Sequence, residues 1–121
     1  YKYAGDINEK AHEIIEKLNL EHIDKENITC IRSYGSKARN TIARCHALGK
    51  IMQKALKRKA FYVLEFLSEK FDKQNEQEKT KTIIHELLHI PKSFGGGFKH
   101  HNFVCRKNVE KMYNRFMSLK S

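Results

Sequence analysis

His85 and His89 stand four residues apart, with Glu86 directly after the first, in the run Thr82-Ile83-Ile84-His85-Glu86-Leu87-Leu88-His89-Ile90-Pro91. On an α-helix, positions i and i+4 share a face, so both imidazoles can be offered to one divalent metal ion. Glu86 lies about 100° further round, close enough to reach a water on that metal without being a ligand. This trio suits hydrolysis. Neutral imidazoles hold zinc with one position open for water, the metal lowers that water's pKa towards neutrality, and the carboxylate takes the proton. The HExxH pattern also occurs in helices whose histidines are simply packed or exposed, and here the setting favours metal. Asn75 with Glu78 resembles a capping box that starts a helix near Glu76, acids occupy its first turn, and Pro91 stops it. Ile83, Ile84, Leu87, Leu88 and Ile90 cover most of the remaining circumference, so the helix is expected to be buried nearly all round. Buried His, Glu and His need partners, and a metal supplies one.

A third ligand must come from elsewhere. Downstream of Glu86 the candidates are His100, His101, Cys105 and Glu110, the last being the only acid there. Cys105, Val109, Met112, Tyr113 and Phe116 recur at helical spacing, which predicts a closing helix from His101 onward. Taking that apolar stripe as the inward face, His101 falls within about 60° of its centre, His100 about 160° away and Glu110 about 120°. His101 is therefore the assigned ligand, and Cys105 reads as packing.

The elements that must hold these residues follow from the rest of the chain. Asp6 to Leu20 reads as an amphipathic helix through Ile7, Ala11, Ile14, Ile15 and Leu18, with His12 and His22 as solvated surface histidines. Ile28 to Gly35 and Thr41 to Leu48 read as strands that pair in a hairpin, with His46 structural. Ile51, Met52, Ala55 and Leu56 have helical spacing within Lys50 to Lys59, and Phe61 to Leu67 is the strongest strand candidate. Ser93-Phe94-Gly95-Gly96-Gly97-Phe98 lacks the lysine-serine ending of a phosphate-binding loop and follows a helix, so its expected task is to reverse the chain.

At 121 residues the whole chain, 1–121, is read as one domain. With 40% hydrophobic and 31% charged residues it has an ordinary globular composition, not a disordered one. No apolar run approaches a membrane span, and the opening Tyr1-Lys2-Tyr3-Ala4-Gly5-Asp6 is no secretory signal, so a cytoplasmic protein without a membrane partner is expected. Cys30, Cys45 and Cys105 form no CxxC pair and are read as reduced thiols, the first two as small packing residues. The net charge of +10 is uneven: from Asn27 to Leu64 there is no acid, while Arg32, Lys37, Arg39, Arg44, Lys50, Lys54, Lys57, Arg58 and Lys59 all fall there. Segment 27–64 is either a nucleic-acid-binding face or a solvated basic surface.

Arg32-Ser33-Tyr34-Gly35-Ser36, Ala43-Arg44, Tyr62-Val63-Leu64-Glu65 and His85-Glu86-Leu87-Leu88-His89-Ile90-Pro91-Lys92 with a later histidine resemble the small metallopeptidases found in archaea. These look like minimal zincins related to the SprT-like zinc proteases. The resemblance implies His85 and His89 as zinc ligands, Glu86 as general base and a histidine after the glycine loop as third ligand. It also implies a sheet against the active-site helix whose edge strand holds an extended peptide. The chain departs from the metzincin pattern, having no Met-turn and eleven residues between His89 and His101.

The expected architecture is α+β and zincin-like. A small mixed or antiparallel sheet of about three strands should pack on the HExxH helix, flanked by N- and C-terminal helices. The expected activity is zinc-dependent peptide hydrolysis, with Zn2+ on His85, His89 and His101, Glu86 as general base, and a protein or peptide as substrate. Tyr113 and Arg32 are oxyanion candidates by chemistry alone. The competing expectation is a basic nucleic-acid-binding module with a structural metal or none, and a DNA-associated SprT-like protease would combine the two. Oligomeric state and peptide specificity are not legible in the sequence.

Overall fold

The computed structural model describes residues 1–99 and 103–119. A two-residue strand β1 (Lys2–Tyr3) leads into helix α1 (Gly5–Lys17). Asn19 closes that helix in a left-handed conformation, φ 55°, with the Leu20 and Asn19 amides returning to the carbonyls of Ile15 and Glu16. Asparagine tolerates this conformation better than most residues, which explains why the helix stops short of the predicted Leu20. Strand β2 (Ile28–Ser33), strand β3 (Ala43–Ala47), helix α2 (Lys50–Leu56) and strand β4 (Tyr62–Leu67) follow. A single-turn helix α3 (Ser68–Phe71), the HExxH helix α4 (Glu76–Leu88) and helix α5 (Arg106–Leu119) complete the described chain.

The strands form one mixed sheet in the order β1-β2-β4-β3. β1 runs antiparallel to β2, β2 parallel to β4, and β3 antiparallel to β4. The predicted hairpin between the second and third strands does not form. β4 is buried at five of its six positions, so burial places it centrally, with β2 on one side and β3 on the other. The nine residues between β2 and β3 are long for a hairpin turn and carry the chain across β4 instead. The fourth strand, β1, is too short to show a period in sequence.

Strand residues Ile28, Cys30, Tyr62, Leu64 and Phe66 lie on one face of the sheet, because the register aligns them at alternate positions. They join Ile7, Ala11, Ile14, Ile83, Ile84, Leu87, Val109 and Phe116 in a single core, so α1, α4 and α5 cover that face. Arg32 ties the outer elements together. Its guanidinium donates to both carboxylate oxygens of Asp6 on α1, at 2.7 and 2.9 Å, and to Asp72 beyond α3.

Candidate metal centre

Helix α4 begins where the sequence indicated. The Asn75 side chain accepts a hydrogen bond of 2.8 Å from the Glu78 amide, and acidic Glu76 and Glu78 occupy the first turn. Its first turn is exposed, whereas Thr80, Ile83, Ile84, Glu86, Leu87 and Leu88 are buried. The imidazoles of His85 and His89 lie beside one another on one face, ring centroids 5.2 Å apart. Glu86 is only 5% exposed, and burial pushes its carboxyl up to about 7. A carboxyl of that affinity is suited to taking a proton near neutral pH.

His89 is oriented by the returning chain. Its Nδ1 is 3.2 Å from the Lys99 carbonyl, and the Lys99 amide donates to the His89 carbonyl at 2.7 Å. With the proton on Nδ1 donated to Lys99, Nε2 carries the lone pair that a metal requires; a main-chain carbonyl often does this for a metal-binding histidine. His85, His89 and buried Glu86 thus fit a hydrolytic metal. Among the described residues, no group of three or more His, Cys, Asp and Glu side chains is arranged to hold one. The assigned third ligand His101 and its neighbour His100 lie outside the described residues.

The glycine loop makes the return possible. Tyr62, whose ring is fully buried under Phe94, donates its hydroxyl hydrogen to the Gly97 carbonyl at 2.7 Å and accepts from the Gly96 amide at 3.0 Å. Gly96 has φ 104°, and a Cβ there would sit 2.7 Å from the Leu48 carbonyl oxygen. Reversal was the expected task of this loop, and the docking of its turn on Tyr62 and Leu48 shows how it is done.

The helix after the loop differs from expectation. α5 starts at Arg106, not near His101, and residues 103–105 form a non-helical turn. The helical phase that separated His101 from His100 therefore does not extend back to them. Glu110, the acidic candidate, instead receives Lys81 from α4 at 2.7 Å, and Cys105 is half-buried. Of the other histidines, His12 and His22 are half-buried, not solvated; the His12 Nε2 is enclosed without a hydrogen-bond partner among the described residues, and His22 bonds to the Ile90 main chain. His46 is structural, its Nε2 2.8 Å from buried Glu65.

A cleft of about 560 Å³ opens onto His85 and Glu86. Gln74, Glu78, Lys81 and Thr82 of the α4 side form its floor, Asn40 to Ala43 one wall, and Arg106, Val109 and Glu110 of α5 the other. Arg32 and Tyr113 do not line it: the first is held by Asp6 and Asp72, and the second packs its ring under Lys81. The sequence showed no sign of the Asn40 wall or of the Lys99 carbonyl, since main-chain roles leave no mark on residue type. Lys81 and Glu110 were legible only in hindsight of the helix packing that joins them.

The backbone of β3 adds a second feature. Leu67 donates to the Ile42 carbonyl and Leu48 to the Phe61 carbonyl, so the residues bonded to β4 are Ile42, Arg44, His46 and Leu48 in alternation. The amides and carbonyls of Ala43, Cys45 and Ala47 then face the open edge beside the cleft. Burial, followed by the charge of Glu86, pushes the Cys45 thiol up to about 12, so it remains protonated.

The family described as "Putative phage metallopeptidase" matches residues 1–118. No curated protein matches the chain, and no solved structure matches it.

Proposed function

From its membership of that phage metallopeptidase family, we propose that the chain is a zinc-dependent peptidase whose site is centred on His85, Glu86 and His89. The observation that carries this reading is the orientation of His89 by the Lys99 carbonyl, one helical turn from His85 and next to a buried carboxyl. His85 and His89 would hold the metal together with His101, two residues after Lys99, which is tethered to His89. Zinc, when bound, supplies a polarised carbonyl and a water of lowered pKa. Glu86 holds the proton removed from the attacking water and passes it to the leaving amine. The open edge of β3 aligns an extended peptide by main-chain hydrogen bonds at Ala43, Cys45 and Ala47, with alternate substrate side chains directed into the cleft. The sequence's resemblance to SprT-like proteases supports the same reading of the HExxH helix and this edge.

Zinc analysis of protein purified without chelator, paired with Glu86→Gln, tests the reading. One zinc per chain is expected, and Glu86→Gln should retain it while abolishing hydrolysis of an unfolded protein such as casein. A chain that neither contains zinc nor takes it up would remove the peptidase reading and leave a basic binding module. Loss of metal in Glu86→Gln would make Glu86 a ligand.

A further inference from the structure

Helix α2 carries its apolar side away from the protein. None of its residues is buried, and Ile51 is 82%, Met52 48% and Leu56 55% exposed. Its attachment is Gln53, whose Nε2 donates to the carbonyls of Leu48 and Gly95 at 2.7 and 3.0 Å. Ile51 and Ala55 lie about 160° round the helix from Gln53, Met52 about 100° and Leu56 about 60°, so the apolar stripe runs from the outward side down one flank, where an amphipathic surface helix normally turns it inward. Basic residues border that stripe. Lys50 and Lys54 lie along one side of it, and Lys57 ends the helix in a left-handed conformation, φ 53°, followed by Arg58 and Lys59. Among the described residues, no carboxylate pairs with Lys50, Lys54, Lys57 or Lys59.

This combination selects among partners. A nucleic acid would satisfy the cations but leaves Ile51, Met52 and Leu56 with nothing apolar to cover them. A second copy would bring two clusters of like charge together in a chain of net charge +10. An exposed apolar stripe bordered by basic residues matches a surface that is anionic outside, apolar just beneath, and fluid enough to take a convex shape. We propose that α2 docks the protein on an anionic lipid surface, with Ile51, Met52 and Leu56 entering the acyl boundary and the lysines and Arg58 meeting headgroup phosphates and carboxylates. No described helix is long and apolar enough to cross a membrane. That excludes spanning by those helices and leaves interfacial docking open. None of these residues lines the cleft.

The test is co-sedimentation of the whole chain with vesicles of phosphatidylcholine alone and of phosphatidylcholine mixed with phosphatidylserine. Binding is expected only to the mixed vesicles, falling steeply as salt is raised. Ile51→Ser with Leu56→Ser should weaken it by about tenfold or more, with circular dichroism unchanged because both side chains are more than half exposed. Lys54→Gln with Lys57→Gln and Lys59→Gln should weaken it similarly. Absence of binding to mixed vesicles at low salt would overturn the proposal, as would wild-type binding by the double serine variant. In the second case, retention of single-stranded DNA by the same lysines would identify a nucleic-acid face instead, and a serine-sensitive dimer in sedimentation would identify a second copy.

Discussion

At His89 two separate demands meet in one side chain. Nδ1 is engaged by the Lys99 carbonyl, so the ring cannot turn without breaking a hydrogen bond, and with the proton on Nδ1 the opposite nitrogen carries the lone pair that a metal takes. Lys99 immediately precedes His100 and His101, the two candidates for completing the site. Adjacent side chains diverge by about 100° on a helix and point to opposite faces of an extended chain, so only one of the two can join His85 and His89. We therefore expect one of His100→Ala and His101→Ala to lose zinc by well over the 10–100-fold of an outer-shell change, with His101 the assigned ligand. Elemental analysis after dialysis decides it. Two variants that both retain zinc would place the third ligand outside the pair.

At the scale of elements, the glycine loop and the edge strand each make a separable contribution. Gly96→Ala would need a left-handed backbone and would drive its Cβ to 2.7 Å from both the Leu48 carbonyl oxygen and the Gln53 side chain. It should cost roughly 1–3 kcal/mol of stability and weaken zinc binding, by displacing the segment that reaches His89. Gly97→Ala is the control, since its Cβ meets nothing within 4 Å. Thermal unfolding of the two variants tests the difference. Ala43→Pro removes an amide that faces the open edge and leaves the ladder to β4 intact, a place where proline is tolerated in sheets. Its expected effect is a KM raised by about tenfold, one substrate hydrogen bond being lost, with little change in melting temperature. An unchanged KM would show that the peptide does not pair there. Asn75, Glu78 and Pro91 made the bounds of α4 legible because capping and proline chemistry are local. Strand partners were not: Ile28–Ser33 and Ala43–Ala47 each looked like strands, but their common neighbour was decided by the burial of Tyr62–Leu67. The start of α5 escaped for a related reason, since Cys105 continues the apolar spacing while standing just before the first helical residue.

Across the whole molecule, charge is divided between surface and scaffold. The run of basic residues from Arg32 to Lys59 looked continuous in sequence, yet Arg32 is spent on Asp6 and Asp72 and Arg44 approaches buried Glu65 at 3.4 Å; Lys37 and Arg39 stand in the loop before β3, and Lys50, Lys54, Lys57, Arg58 and Lys59 gather at α2. The Arg32 cluster joins α1, β2 and the turn after α3, and it makes stability depend on acid. The hydrogen bonds from Arg32 hold the carboxyls of Asp6 and Asp72 below their ordinary value. A carboxylate depressed in the folded state contributes stability that is present above its unfolded pKa of about 4 and is lost as pH falls through the folded value. Arg32→Met should therefore destabilise the protein at neutral pH, and the gap from wild type should close as the pH falls through the lowered folded-state values of Asp6 and Asp72. The size is set between two limits. Asp6 is largely exposed and its attraction is screened, whereas Arg32 is mostly buried and its removal leaves two carboxylates facing each other. Roughly 1–2 kcal/mol is the expected loss at pH 7. Urea unfolding of both proteins across this pH range measures it, and a gap that stays constant on acidification would mean that Arg32 acts through packing of its stem and not through Asp6 and Asp72.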